Sequence, residues 1–266
     1  MSVVRAATAS PARARFGASE ALALGVVAAL VLTWVASAGR VPAYLLPPPM
    51  DVLRSVASFF TTAERLEHLL ATFAHIGASI ALSFALGAAL AFAAHELRWS
   101  AVAIHGRLSP FMSAFSGIGW TLLAVIWFGV SSFTVVFTIV AVLLPFAMVN
   151  LREGLLAMDG ELLEMGRSFG RGRRRLWRLL VLPSLVPFMA ATLRIMFGVA
   201  WKVALTAELF GGGRGLGYLI NLARQDYDTA TLFAVILFII AAVTAADRWL
   251  FAPLERLTTR QFGTVR

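Results

Sequence analysis

The 266-residue sequence contains no cysteine, a single lysine and few charged residues of any kind. The absence of cysteine excludes disulfides, thiolate nucleophiles and cysteine metal sites. Charged residues make up only 14% of the chain, whereas ordinary soluble domains contain about 25%. Apolar residues make up 59%, and the mean hydropathy is +0.82. Because a water-soluble core could not bury so many apolar side chains, the composition predicts an all-α integral membrane protein.

Several further features argue against nucleotide-binding and metal sites. The lysine, Lys202, is followed by Val203, so the chain lacks the Lys-Ser/Thr pair of a P-loop, and any ATP hydrolysis must come from another polypeptide. The glycine-rich stretch 211–217 lacks dinucleotide-binding spacing and is interpreted as a flexible turn. His68 and His75 could share a helix face, but no metalloprotease-like carboxylate pattern accompanies them. We therefore predict no metal, no cofactor and no catalytic residues, with the histidines near the ends of membrane segments.

Six apolar stretches approach or exceed the length of a membrane crossing. They are 18–38, 69–94, 111–130, 133–149, 185–209 and 230–251. The sequence thus predicts about six transmembrane helices in a single membrane domain, 18–252, with tails at 1–17 and 253–266. Only Ser131 and Ser132 separate the third and fourth stretches, so a tight hairpin is expected there.

The basic residues set the expected orientation. Of the 23, 22 are arginine, and with a cytoplasmic N-terminus sixteen lie in inside segments and five in outside segments. Both termini are therefore predicted to be cytoplasmic, in a bacterial inner membrane, and topology explains the charge of +9 better than nucleic acid does. The run ending at Ala36-Ser37-Ala38 resembles a signal-peptide cleavage site, but an uncleaved anchor is favoured because the run is long enough to span.

The outside stretch 41–67 and the second apolar stretch have distinct patterns. Pro47-Pro48-Pro49 excludes helix, and a short amphipathic helix at the outer surface is predicted over 51–60. Small residues then recur at every fourth position, a pattern that lets another helix approach closely. They are Gly77, Ala81, Ala85, Ala89 and Ala93.

The inside loop 151–183 is too polar to enter lipid and too regular for a linker. Glu161 and Glu164 follow Asp159-Gly160, where acidic side chains suit the first turn of a helix. Leucines form an apolar stripe on short helices, and Gly170 then turns the chain. The pattern predicts a structured amphipathic element on the cytoplasmic surface.

A family resemblance appears in this loop. Glu164-Met165-Gly166, three residues, Gly170, nine residues and then Leu180-Val181-Leu182-Pro183 resembles the E-A-A-x3-G-x9-I-x-L-P signature of binding-protein-dependent ABC permeases. Met165 and Gly166 replace the two alanines, and Leu180 replaces isoleucine. Other stretches are similar to the sulfonate, taurine and nitrate group of these type I importers: Leu46-Pro47-Pro48-Pro49, Ile126-Trp127-Phe128-Gly129, Trp201 through Glu208, and Gly215-Leu216-Gly217-Tyr218-Leu219-Ile220.

The resemblance implies a coupling helix between the fourth and fifth membrane helices that docks on a cytoplasmic ATPase. The residues implied in this contact are Glu161, Glu164, Met165, Gly166, Ser168, Phe169, Gly170 and Pro183. It further implies two ATPase subunits, a periplasmic or lipid-anchored binding protein and a second permease copy. A homodimer is expected, with a related second permease still open. The solute is expected to be a small anion such as a sulfonate, taurine or nitrate, or alternatively an uncharged vitamin precursor.

The fifth stretch carries charges within the membrane, which usually face a pathway or a helix interface. Arg194, Trp201 and Glu208 recur at intervals of seven residues, and Lys202 lies about 100° around the helix from Trp201. These four residues are a candidate substrate pathway, and a structural ion pair with a neighbouring helix is the alternative. A secondary transporter would need internal repeats, and a membrane enzyme a cluster of catalytic side chains; neither is found in the sequence.

Overall fold

The computed structural model describes residues 12–38, 40–158 and 177–254, and the regular elements in these ranges are all helices. They are α1 (Ala12–Ser37), α2 (Pro49–Thr61), α3 (Ala63–Glu96), α4 (Arg98–Ala103), α5 (Ser109–Ala114), α6 (Gly117–Phe128), α7 (Ser132–Leu156), α8 (Leu182–Gly211), α9 (Leu216–Gln225) and α10 (Thr229–Ala246). Three π-helical turns, Ile104–Leu108, Trp177–Val181 and Asp247–Phe251, join or extend them.

Four long apolar helices can cross a membrane in the described part of the chain. They are α3, α7, α8 and the continuous helix Thr229–Leu254 that contains α10. A fifth crossing results if Ala101–Ala114 and Gly117–Phe128 are taken as one bent span. In α1, the described apolar part, Gly25–Ser37, is shorter than a span. The predicted all-α membrane fold is confirmed, whereas the count of six crossings stays a prediction.

The third predicted stretch, 111–130, is not one continuous helix. α5 and α6 meet at an angle of 87°. Ser116 is extended, and its hydroxyl accepts a hydrogen bond from the Gly119 amide at 3.1 Å, so it caps a new helix instead of continuing the old one. The expected tight turn before α7 is confirmed: Gly129 has a φ of 68°, and the Ser131 hydroxyl caps α7 by accepting from the Thr134 amide.

The centre of the bundle is the packing of α3 on α7 and of α7 on α8. On α3 the small residues that face inward are Ser79, Ser83, Gly87 and Ala91. The ridge predicted from the sequence is exposed at Gly77, Ala81, Ala85 and Ala89, two positions away. Two positions are about 200° around a helix, so the predicted ridge lies on the opposite side of α3. Within this chain, the row of small residues that packs against another helix is therefore the inward one, and the predicted row is exposed.

The amphipathic helix predicted over 51–60 is confirmed as α2, but it begins earlier than expected. Pro49, which was expected to exclude helix, is its first residue, because a missing N–H costs nothing in the first turn. Val52 and Phe59 are completely buried, and Phe59 packs edge-on against Phe238 of α10. α2 therefore closes one end of the bundle, beside the start of α3.

Candidate functional site

A groove of about 630 Å³ lies between α8 and α10, and it extends to the π turn that follows α10. Arg194 of α8 and Asp247 of that turn form an ion pair in it. The guanidinium donates from Nε to Oδ1 at 2.7 Å and from Nη2 to Oδ2 at 3.1 Å, which is the bidentate geometry that suits arginine and carboxylate. Both side chains are about half exposed, so solvent reaches the pair.

Lys202 lines the same groove two helical turns from Arg194. Its side chain is exposed, and no salt bridge to its ammonium group is found within the described ranges. Because Asp247 balances the charge of Arg194, the ammonium group of Lys202 leaves the groove with a net positive charge. The structure thus brings together two of the four residues predicted for the pathway.

Trp201 lies outside this groove. Only 1% of it is exposed, and its ring packs edge-on against Phe73 of α3 at 5.3 Å and against Phe197 at 6.1 Å between centroids. Its indole Nε1 is buried without a hydrogen-bond partner among the residues that the structure describes. Trp201 therefore contributes to the core between α3 and α8.

Glu208, the fourth predicted pathway residue, is also outside the groove, completely buried in a polar cluster. Its Oε2 accepts from the hydroxyl of Thr72 at 2.9 Å and from the amide of Gly217 at 2.9 Å. Its Oε1 lies 2.8 Å from Nδ1 of His75. A buried carboxylate is tolerated only with such partners, and here α3 and the start of α9 supply them.

The same cluster satisfies the free amides at the N-terminus of α9. The Gly215 amide donates to Nδ1 of His68 at 3.2 Å, and the Leu216 amide donates to the hydroxyl of Thr72 at 2.7 Å. With Gly217 bonded to Glu208, three successive amides are capped by side chains of α3 and α8. A carboxylate at this position also interacts favourably with the helix dipole.

Two glycines of the stretch 211–217, Gly215 and Gly217, are required by this packing. Gly215 has a φ of +117°, and a Cβ there would collide with the carboxylate of Glu208. A Cβ on Gly217 would collide with the carbonyl oxygen of Leu205. The stretch interpreted as a flexible turn is therefore a tightly packed connection, and its glycines allow α9 to approach α8.

Several features of the sequence indicate this cluster, but each was interpreted separately. His68 and His75 are seven residues apart on α3, and both are buried; their position near the membrane interface stays a prediction. Glycines follow Glu208 at positions that suit close backbone approach. Only the packing of α3 on α8 shows that these residues meet. No group of three potential metal ligands occurs in the described ranges.

The predicted ATPase-contact residues, except Pro183, lie outside the described residues. They are Glu161, Glu164, Met165, Gly166, Ser168, Phe169 and Gly170. Pro183 is in the first turn of α8. The two ends of the loop share a buried cluster, which contains Leu151 and Leu155 of α7, and Val181 and Leu185 next to and within α8.

Comparison with known proteins agrees with the loop signature and the fold. Residues 21–257 match the family described as "Binding-protein-dependent transport system inner membrane component". The chain is 27% identical over 248 residues to the taurine transport system permease protein TauC of Escherichia coli (strain K12), covering 89% of this chain and 88% of that protein. It is 30% identical over 238 residues to the formylaminopyrimidine transport permease protein ThiX of Halalkalibacterium halodurans, covering 86% and 89%.

The fold is similar to a solved structure of the MetNI methionine ABC transporter in inward-facing conformations. The TM-score is 0.60 at 15% identity, and the match covers 79% of this chain and 97% of that chain. This likeness concerns the arrangement of helices. The chain belongs to the family of inner membrane components of binding-protein-dependent transport systems, which are ABC importer permeases.

Proposed function

We propose that this permease imports a small organic anion through the groove of Arg194 and Lys202, and that a separate ATPase drives it through the loop 151–183. The observation that carries the proposal is the net positive charge that Lys202 gives to a groove between two membrane helices. Charges in membrane segments are costly, and they are typical of ion and substrate pathways.

The packing at the base of the loop supports its role as the point of attachment for the ATPase. Leu151 and Leu155 of α7 and Leu185 of α8 lie in one buried cluster with Ala91 of α3. A Cβ on Gly154 would lie 2.8 Å from Phe188 of α8, so α7 and α8 are closely packed there. A force applied to the loop would therefore move three membrane helices together, because packed interiors are stiff.

Glu164 is the loop residue with the largest expected effect on the ATPase contact. Glu164→Ala is expected to weaken association with the ATPase by roughly 10- to 100-fold, since a hydrogen bond to a charged group contributes about 1.5–3 kcal/mol. The amount of ATPase that copurifies with the tagged permease, and the uptake that ATP drives, should fall together. Glu153→Ala is the matched control, because its exposed carboxylate lies on the last turns of α7, eleven residues before Glu164, and is not among the residues implied in the ATPase contact. Equal copurification and uptake for wild type and Glu164→Ala would contradict the proposed contact.

The second prediction concerns Lys202. Lys202→Gln is expected to lower the rate of anion uptake roughly fivefold, because a partly solvated charge contributes about 1 kcal/mol. Lys202→Arg should retain most of the rate. The measurement is initial uptake of a radiolabelled sulfonate such as taurine by cells that express the complete importer.

The ATPase activity of the Lys202 variants in detergent serves as the control for assembly. It should remain at the wild-type level, since Lys202 is distant from the loop along α8. Unchanged uptake by Lys202→Gln would remove this residue from the pathway. A loss of both uptake and ATPase activity would assign it to folding or assembly.

An uncharged vitamin precursor is the second candidate solute. It is favoured by the similarity to a formylaminopyrimidine permease and by the pairing of Arg194 with Asp247, which removes one of the two positive charges from the groove. Thermal-shift screening of the partner binding protein with sulfonates and with pyrimidines distinguishes the two. Stabilisation by pyrimidines alone would reject the anion.

The assembly that we propose contains two copies of the permease, two ATPase subunits and one external binding protein. Two permeases are needed because each ATPase must engage one loop, and identical copies are the simplest arrangement. The membrane domain is 18–252, and the tails 1–17 and 253–266 lie in the cytoplasm, as the distribution of arginine indicates.

A further inference from the structure

A second, smaller cavity lies at the opposite end of the bundle from Glu208. Its volume is about 210 Å³, and it is formed by the C-terminal ends of α3 and α7 and by the π turn Ile104–Leu108. Its lining includes Ala94, His95, Ala101, His105, Arg152 and Leu155. The established family role and the proposed pathway use none of these polar side chains.

His105 is the unusual residue in this cavity. Both of its ring nitrogens are buried, and neither has a hydrogen-bond partner among the described residues. A neutral imidazole has one N–H donor and one acceptor, and groups of this kind are nearly always satisfied in folded proteins. The π turn that carries His105 is itself a rare conformation that is frequent at functional sites. Both observations indicate that something binds beside this ring.

The other polar groups of the cavity define the charge of that ligand. Arg152 supplies a guanidinium whose Nη1 lies 3.7 Å from the exposed carboxylate of the adjacent Glu153, its ion pair among the described residues. That distance is too long for a hydrogen bond, so the donors of the guanidinium are not used by this contact. His95 adds a second imidazole, which packs edge-on against Trp177. A guanidinium with two imidazoles favours an anion.

We propose that this cavity binds a phosphate group, either as free phosphate or as the phosphodiester of an anionic lipid headgroup. The five N–H donors of Arg152, together with the imidazoles, suit the several oxygens of a phosphate. The volume exceeds that of a single water molecule but is below the roughly 300–1,000 Å³ of pockets that hold drug-sized ligands. A compact oxyanion fits this range.

The position of the cavity gives the bound phosphate a structural consequence. Leu155 belongs to the buried cluster at the base of the loop 151–183, and Trp177, at the end of that loop, contacts His95. A phosphate held by Arg152 and His105 would connect α7 to the π turn and to α3. We therefore expect the ligand to stabilise this end of the bundle.

The test measures the thermal unfolding midpoint of the full chain under matched conditions. In a neutral detergent, sodium phosphate is compared with sodium chloride at equal ionic strength. In vesicles, pure phosphatidylcholine is compared with phosphatidylcholine that contains phosphatidylglycerol. Either free phosphate or phosphatidylglycerol is expected to raise the thermal unfolding midpoint by about 3 °C. His105→Ala and Arg152→Ala should abolish the shift, and Arg107→Ala, an exposed arginine of the same π turn, should retain it.

The outcomes separate the sources and can reject the site. A shift with sodium phosphate assigns free phosphate, and a shift that only phosphatidylglycerol produces assigns the lipid headgroup. No shift with either anion, or the same shift in His105→Ala, overturns the proposal. Ala101→Leu fills the cavity without removing a polar group, so it covers the case in which His105→Ala fails to fold. It should fold normally in chloride and lose the shift; a retained shift also overturns the proposal.

Discussion

Glu208→Ala is expected to lower the free energy of unfolding by about 3–5 kcal/mol, the largest effect of any substitution considered for this permease. The substitution leaves three groups without their partner in a buried site: the hydroxyl of Thr72, the ring of His75 and the amide of Gly217. It also leaves a cavity where the side chain was. The thermal midpoint of the purified permease should fall by roughly 10 °C.

Two variants calibrate this prediction. Glu208→Gln keeps the shape and one acceptor oxygen, so a smaller loss of about 1–3 kcal/mol is expected. Glu67→Ala removes an exposed carboxylate that is 3.1 Å from Arg214, and should cost no more than about 1 kcal/mol. Hydrogen exchange provides a local readout, because the amides of Leu216 and Gly217 should exchange faster in Glu208→Ala. A variant with wild-type stability and exchange would show that the cluster does not hold α9 in place.

Gly87→Leu is expected to destabilise the permease by about 3 kcal/mol through overpacking. A Cβ on Gly87 would collide with the Cβ of Ala147 and would lie 3.3 Å from the Ala147 carbonyl carbon and the Met148 nitrogen. Since these neighbours include the backbone of α7, they cannot move aside as a flexible side chain can. The two central helices must separate, and the thermal midpoint should fall.

The same helix provides the control for Gly87. Nothing lies within 4 Å of a Cβ built on Gly77, ten residues earlier. Gly77→Leu should therefore leave stability unchanged or raise it by up to about 1 kcal/mol, because leucine favours helix more than glycine does. Equal losses of stability in the two variants would show that the loss comes from replacing glycine in the helix, and not from the α3–α7 contact.

Composition and periodicity were sufficient for the class of fold. Long apolar runs predict membrane helices because a bilayer offers no partner for backbone amides except within the helix itself. For the same reason α3, α7, α8 and α10 were located correctly, and α2 was recognised from its amphipathic pattern. The break within 111–130 was missed, since the capping serine that creates it lies in a run that is mostly apolar.

Periodicity could not predict which helix each side chain of α8 packs against. Arg194, Trp201 and Glu208 share a seven-residue spacing, yet in the structure they face the π turn after α10, α3 and the start of α9 respectively. The spacing predicts a common side of α8, but it contains no information on which helix packs against each turn. The same limit explains why the outward row of small residues on α3 was chosen over the inward one.

By itself the sequence determined a helical membrane permease with a family signature in one cytoplasmic loop, because hydrophobic length and motif spacing are local properties of the chain. Only the tertiary structure decided which polar side chains are buried together. Glu208 meets Thr72 and His75 across more than 130 residues of chain, and His105 lies in a cavity with Arg152. The electrostatic environment of a buried carboxylate or imidazole is set by the neighbours that folding brings together. The role of such a side chain can therefore be recognised only in the packed structure.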